Sequence, residues 1–431
     1  MYISSAKLGL NPLILVSSLL AAAAQGLSDS QVNTIKQRLQ EGATHSWELG
    51  TRAQALIELS APSFSVLTPS IPLPPPSTLN SSTNASLADV LTIARNVVTV
   101  LPPSPSNGTG QPLFLGDGSS GDPASVGVAI LIANWTNLGS GEDYAGAAKA
   151  QIEYLFGPAV PKTSDGAISH RVSQVQLWSD SVYMVPPFLA YYGVTTGNQS
   201  MLQEAYTQVK LYRSYLSDIS ANGLWQHVVL GSGGTDPGHW STGNAWAAAG
   251  MLRVLGTLKS STFAKTFQSE IKDLGNWVAE IHSAMYPHLQ ANGLFKNYAD
   301  GNSGSDRGNN NFDDASSSAL LAATVYHLAL LTGNKNFVLQ AERTRAAIFA
   351  ANGTPVVDPS NISVQGAQSP EGEAFALMLH SAWRDWVAAG SPGGGGGGAN
   401  AARRYAKRGA VPVLGAAGLV MACTLMDDLF I

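Results

Sequence analysis

One acid stands alone in an apolar, aromatic stretch of this chain. Pro161 to Gly193 reads PKTSDGAISHRVSQVQLWSDSVYMVPPFLAYYG, with Asp180 among Trp178, Tyr183, Met184 and Phe188. Such neighbours exclude water, and poor hydration raises a carboxyl pKa toward neutrality, where the group can donate a proton. His170 lies ten residues upstream, in a loop that carries Gly166. Flat aromatic faces with scattered polar groups suit a carbohydrate, so the segment predicts acid chemistry on a sugar-like ligand. The competing readings are a buried acid paired with a local donor for Asp180, and a solvated loop residue for His170.

Further candidates flank this segment. Asp122 opens DPASVG, where Asp followed by Pro at the first helical position is also a good helix cap. Trp225 and His227 sit in GLWQHVV; Trp240, Thr242 and Trp246 sit in HWSTGNAW. Indoles can stack on sugar C–H faces and exclude water, or they can simply pack a core. Asp313 and Asp314, in NNNFDDASSSAL, read as caps of the helix that follows. Glu371 and Glu373, in SPEGEAFALML, suit the positive end of a helix and carry no catalytic assignment. Ser46, Trp47 and Glu48 could reach the same pocket, but no spacing argument places them there.

The elements that must position these residues are helices. After a helical pattern over Ser28–Leu59 and a Pro/Ser-rich loop near 62–86, helical periodicity recurs at Leu87–Val100, Ala124–Trp135, Asp143–Phe156 and Val172–Tyr192. It continues at Gln199–Ser217, Asn244–Leu258, Phe263–Tyr286, Ala315–Leu331, Lys335–Ala351 and Glu371–Ala389. Strand-like alternation is almost absent. Three inter-helix loops are alike: DGAISH from Asp165, NGLWQH from Asn222 and NGLFKN from Asn292, the last two 70 residues apart. Repeated hairpins whose turns return to one end predict an all-α closed toroid; an irregular bundle with coincidental turns is the alternative.

Composition bounds the rest. The 431 residues are 45% hydrophobic and only 12% charged, with a net charge of −5 and no basic stripe, which argues against nucleic acid as a partner. The single cysteine, Cys423, excludes a disulfide framework and a Cys-based metal site. The histidines and acids lack zinc-site spacing, so neither a metal nor another cofactor is expected.

Lys7, the apolar run Leu8–Leu20 and Ala21–Ala24 make residues 1–24 read as a secretory signal peptide, with a membrane anchor or buried helix as the rival. Seven N-x-S/T sequons, at Asn80, Asn84, Asn107, Asn134, Asn198, Asn352 and Asn361, agree with a secreted, extracellular glycoprotein carrying N-glycans. A globular domain over 25–390 precedes a glycine run and an apolar tail over 391–431. That tail resembles a GPI-attachment signal and so a possible membrane attachment at the cell surface or wall. Its terminal Asp pair argues against this, and a short span or an unstructured terminus competes.

Taken in order, these motifs resemble the six-hairpin glycosidases. Within them they resemble the unsaturated rhamnogalacturonyl and unsaturated glucuronyl hydrolases of glycoside hydrolase families 105 and 88, over about Gly116 to Trp386. The resemblance implies an (α/α)6 toroid of six helical hairpins. It also implies a hydrolase of unsaturated uronyl oligosaccharides from pectin-type polysaccharides, acting by hydration of a C4=C5 double bond. Asp180 falls on the family's catalytic acid and Asp122 on an Asp that holds ring hydroxyls. His170, Trp178, Trp225, His227, Trp240, Thr242 and Trp246 fall on pocket positions. Thr242 stands where bacterial relatives often carry Arg, and Thr cannot pair with a carboxylate as Arg does. The rivals are an ordinary glycosidase that uses two carboxylates, and a carbohydrate-binding relative without catalysis.

Overall fold

In the computed structural model the described residues are 26–390, apart from 70, 76–79, 104, 106–107, 139–140, 302–310 and 351–368. The expected leader and C-terminal tail, and the sequons at Asn107, Asn352 and Asn361, lie outside them. Twelve α-helices are described: α1 (Asp29–Gly42), α2 (Ser46–Ser60), α3 (Ser81–Val98), α4 (Gly127–Thr136), α5 (Tyr144–Phe156), α6 (Ser181–Thr196), α7 (Gln199–Leu216), α8 (Ser241–Ser260), α9 (Gln268–Met285), α10 (Ala315–Thr332), α11 (Val338–Ala350) and α12 (Pro370–Ala388). The even-numbered helices form a closed inner ring. Each packs on the next even-numbered helix, and α12 packs back on α2; α4 is extended at its start by a 3-10 turn, Asp122–Val126. The odd-numbered helices lie outside, against their inner partners. The fold is an (α/α)6 toroid.

The helical patterns explain which helix takes which layer. Inner α10, ASSSALLAATVYHLALLT, is buried on nearly every side, as a helix without a polar face must be. It is long and apolar enough to cross a membrane by composition alone, but its surroundings are the other ring helices. Outer α9 buries one face, Leu274, Gly275, Val278, Ile281, His282, Ala284 and Met285, and leaves the other toward water. Left-handed glycines, Gly197 after α6 and Gly333 after α10, end their helices.

Three features depart from the sequence reading. The expected helix over Ser28–Leu59 is broken at Ala43, because Glu48 accepts hydrogen bonds from the Thr44 and His45 backbone N–H groups and starts α2 afresh. The expected helix over Val172–Tyr192 begins only at Ser181. Its first residues form an irregular segment pinned by Ser169, whose hydroxyl bonds the backbone of Arg171, Gln174 and Gln176. The Pro/Ser-rich loop ends before residue 86, since Asn80 caps α3 through the Thr83 N–H.

The inter-helix loops form three two-stranded antiparallel ribbons: β1 (Leu177–Trp178) with β4 (Val228–Val229), β2 (Ser217–Asp218) with β3 (Leu224–Trp225), and β5 (Phe295–Lys296) with β6 (Asp313–Asp314). The related turns share a cause: Gly166, Gly223 and Gly293 all take positive φ.

Candidate active site

A cavity of about 670 Å³ opens at one end of the ring. The first turns of all six inner helices line it: Trp47 and Glu48 on α2, Asp122 before α4, Asp180 before α6, Thr242 on α8, Ser316 on α10 and Glu371 on α12. Six helix N-termini therefore point at one space, and their partial positive charges favour anions there.

Asp180 is the residue just before α6, not a residue within the helical run. Its position is fixed by its carbonyl, which accepts from Tyr183 N at 2.8 Å. Its carboxyl Oδ1 is buried and has no hydrogen-bond partner among the described residues. Burial raises its pKa, against the opposing pull of His227. Asp122 faces the same cavity and does not cap its helix. Its pKa is raised well above the ordinary range by burial, then by Asp180 and by Asp117. The two carboxyls titrate as a pair, and the pair retains a proton to higher pH than a solvated carboxyl would.

His170 sits between them. Nε2 lies 3.7 Å from Asp122 and Nδ1 3.9 Å from Asp180, while Nδ1 also contacts the Ser181 hydroxyl at 2.6 Å. Burial, then Arg171 and His227, hold its pKa well below the usual value, so the ring is neutral at physiological pH. It is buried rather than solvated. Trp178 stacks on His170 at 4.6 Å and meets His227 edge-on at 5.5 Å. His227 Nδ1 contacts Asp236 at 3.0 Å, and Tyr298 donates to the same carboxyl oxygen at 2.5 Å. Among the described residues nothing bonds Nε2, which leaves that ring nitrogen for a ligand. Burial would push Asp236 up, but the hydrogen bonds from His227 and Tyr298 bring it below the usual carboxylate value.

Trp240 and Trp246 both reach the cavity. Trp240 packs on His227 at 4.4 Å and donates to Asn297 at 3.0 Å; Trp246 packs between Tyr183 and Phe375. Trp225 does not reach it. That indole is fully buried, and Asn244 clamps the Trp225 backbone through both its N–H and its carbonyl. Thr242 is buried on the cavity wall, and its hydroxyl donates to Asp314 at 2.8 Å. Asp314 caps α10 through Ser317 N, whereas Asp313 pairs with Lys296.

The sequence reading left several lining residues unassigned. Trp47 Nε1 donates to Glu371 at 2.5 Å, and Trp47 stacks on His45 at 4.5 Å. Burial, then Glu48, raises Glu371 to about 7. Arg171 and Asp117 also line the wall. The one signal for Arg171 was its place beside His170.

The model of Glycosyl Hydrolase Family 88 matches residues 120–359, more than half of the chain. The chain belongs to this family. Family 88 membership makes it a glycoside hydrolase and accords with the toroid. A possible member of glycoside hydrolase family 105 from Salmonella enterica serovar Paratyphi A superposes with a TM-score of 0.62 at 13% identity, over 83% of this chain and 95% of that one. A family 88 glycosyl hydrolase from Bacteroides vulgatus does so with 0.58 at 14%, over 85% and 98%. A family 105 glycoside hydrolase from C. acetobutylicum gives 0.60 at 12%, over 82% and 98%. At such identities these likenesses speak to the fold of this family 88 chain. No curated protein matches the sequence.

Proposed function

We propose that this family 88 enzyme hydrolyses unsaturated uronyl oligosaccharides by hydrating the C4=C5 bond, with Asp180 as the proton donor. The observation that carries the reading is the Asp180 carboxyl: sheltered, raised in pKa, without a hydrogen bond at Oδ1 among the described residues, and on the wall of a large aromatic-lined cavity. A vinyl ether needs a proton at carbon from a strong enough acid, and a carboxyl held protonated without solvation is such an acid. The family 88 and 105 relationship supports the same substrate class.

In this reading the Asp180 proton goes to C4 and the π pair forms the new C4–H bond, leaving an oxocarbenium centre at C5. Water adds to C5, and its surplus proton returns to Asp180. The resulting hemiketal opens and releases the neighbouring sugar. Asp122 accepts from ring hydroxyls. His170, neutral and pinned to Ser181, spaces the two acids. His227, oriented by Asp236, presents Nε2 to the ligand. The indoles of Trp178, Trp240 and Trp246 supply apolar walls. Asp180 must be protonated to act, so the rate falls as pH rises through the titration of the acid pair.

The test is loss of ultraviolet absorbance from the double bond when the enzyme meets an unsaturated disaccharide from lyase-treated pectin or glycosaminoglycan. Wild type consumes it, and Asp180→Asn slows it by ~100-fold or more while keeping the native circular dichroism spectrum. Full turnover by Asp180→Asn refutes the assignment. A second reading, direct displacement on an intact glycoside, draws on Glu371, whose pKa near 7 suits a general acid in the same cavity. Cleavage of saturated glycosides with no absorbance change decides for it.

Pectin as the source of the substrate and secretion of the enzyme belong to this proposal as well. An extracellular product whose first residue follows the alanine run at 21–24 would support the second.

A further inference from the structure

The cavity is acidic, yet the substrate proposed for it is an anion. Six carboxylic side chains line it: Glu48, Asp117, Asp122, Asp180, Asp236 and Glu371. Among the described lining residues, Arg171 is the one Lys or Arg. The family position expected to offer a cation holds Thr242, and its hydroxyl is committed to Asp314. Recognition of a carboxylate there has no donor.

Arg171 has what that position lacks. Its guanidinium lies over the Trp178 ring, 4.6 Å from the centroid. No hydrogen bond or ion pair engages it among the described residues. Its backbone is clamped on both sides: His170 N donates to Gln176 O at 2.7 Å, and Val172 N to Gly118 O at 3.3 Å. A β-bridge to Ser119 holds the residue itself. The side chain is thus oriented by stacking, with its N–H fork unspent. A planar fork on an aromatic shelf suits a planar carboxylate. It stands one residue from His170, which contacts both Asp122 and Asp180, so a carboxylate bound there would be delivered beside the acid pair.

We infer that Arg171 receives the substrate's carboxylate, in place of the cation missing at Thr242, and selects uronides over neutral sugars. This rests on the uronide reading of the site. The alternative is that Arg171 only offsets the surrounding acids. The two differ in what a neutral substrate feels.

The experiment compares wild type, Arg171→Met and Arg171→Lys on an unsaturated disaccharide as the free acid and as its methyl ester. Arg171→Met keeps an apolar stem on Trp178 but no charge. It should raise KM for the free acid by ~10- to 100-fold, as loss of a charged hydrogen-bond partner does. The ester should change by less than ~3-fold, and Arg171→Lys should fall between for the acid. Equal losses on acid and ester, or an unchanged KM for the acid, overturn the inference. Calorimetric binding of a saturated glucuronyl disaccharide and its methyl ester separates this from failure of the function. If wild type turns over neither unsaturated substrate, an acid preference that vanishes in Arg171→Met still upholds the carboxylate site. Absence of that preference removes the site.

Discussion

Substituting alanine for Gly250 should cost both stability and turnover, although the residue touches no ligand. The reason begins with Pro186 and Pro187 inside α6. Neither has an N–H, so the carbonyls of Val182 and Tyr183, four residues earlier, lose their helical partners. Helix α8 fills that gap. Arg253 Nη1 donates to Tyr183 O at 3.1 Å, and Gly250 faces Val182. A Cβ on Gly250 would lie 2.1 Å from Val182 O, 2.5 Å from Val182 C and 2.7 Å from Tyr183 N. All three are backbone atoms, which cannot rotate aside. Ordinary contact begins at 3.4 Å, so the helices must part by roughly 1.3 Å, the difference between 3.4 and 2.1 Å.

Overpacking of this kind costs ~3 kcal/mol. Val182 is two residues from Asp180, so the movement carries the acid with it. A displacement of ~1 Å at a reacting group costs ~100-fold in rate. Thermal unfolding and the absorbance assay measure the two effects together. Gly275→Ala, on outer helix α9, is the control: its Cβ would meet only the Thr332 and Leu255 methyls, at 3.3 and 3.5 Å. There the helix-propensity gain of ~1 kcal/mol from Gly to Ala can show. If Gly250→Ala unfolds at the wild-type temperature and turns over within ~2-fold of the wild-type rate, the close approach of α8 to α6 does not set the position of Asp180.

Thr242→Val should destabilise by ~1–3 kcal/mol, because it leaves the buried Asp314 carboxyl without its hydroxyl donor; KM should stay unchanged, and a raised KM would show direct contact with the sugar. Glu373 is buried with neither oxygen hydrogen-bonded among the described residues and Arg38 3.7 Å from Oε1, and burial, opposed by Arg38, raises it from 4.5 to about 7. The unfolded chain ionises first, so the native state binds the extra proton and stability falls as pH rises from 4.5 to 7. Glu373→Gln should therefore unfold at a higher temperature than wild type at pH ~8, by ~3 kcal/mol at most, and match it near pH ~4. An equal difference at both pH values would refute the assignment.

The ring was legible because its signal is local. Apolar periodicity repeats, and the three Gly turns recur at matching places between helices. Part of the cavity wall was legible as well, since Asp180, Asp122, His170, His227, Trp240 and Trp246 lie in compact motifs. What escaped was set by closure and by changes of pairing. Trp47 meets Glu371 across 324 residues, because α12 returns to α2, and no spacing rule reaches that far. Trp225 and His227 are two apart, but Trp225 lies in β3, whereas His227 lies in the bend between β3 and β4. Trp225 pairs with Ser217, whereas His227 N bonds Gly238 O and its carbonyl accepts from Ser179 N. The change of partner between them sends one ring into the core and the other to the cavity. The start of α6 escaped for a similar reason: side-chain bonds from Ser169 hold residues 171–176 out of a helix that periodicity allows.

Retained protons account for why so many acids can share this space. Burial of Asp122, Asp180 and Glu371 raises their pKa values, so protons, rather than salt bridges, relieve much of the repulsion. A lysine-lined cavity would ionise those carboxyls and abolish the acid. A cavity with no cation would repel a uronate, whose charge the six N-termini offset only by fractions. One guanidinium held on an indole resolves the conflict, if it lies near enough to bind the incoming carboxylate and far enough to leave the acids protonated. Arg171 meets the second condition, since it lowers Asp122 and Asp180 less than burial raises them. Moving that charge onto α8, as in Thr242→Arg, places it beside buried Asp314 instead and costs the hydroxyl bond there. The double variant Thr242→Arg with Arg171→Met should therefore not recover the affinity lost by Arg171→Met alone, and recovery would mean that charge in the cavity matters more than its geometry.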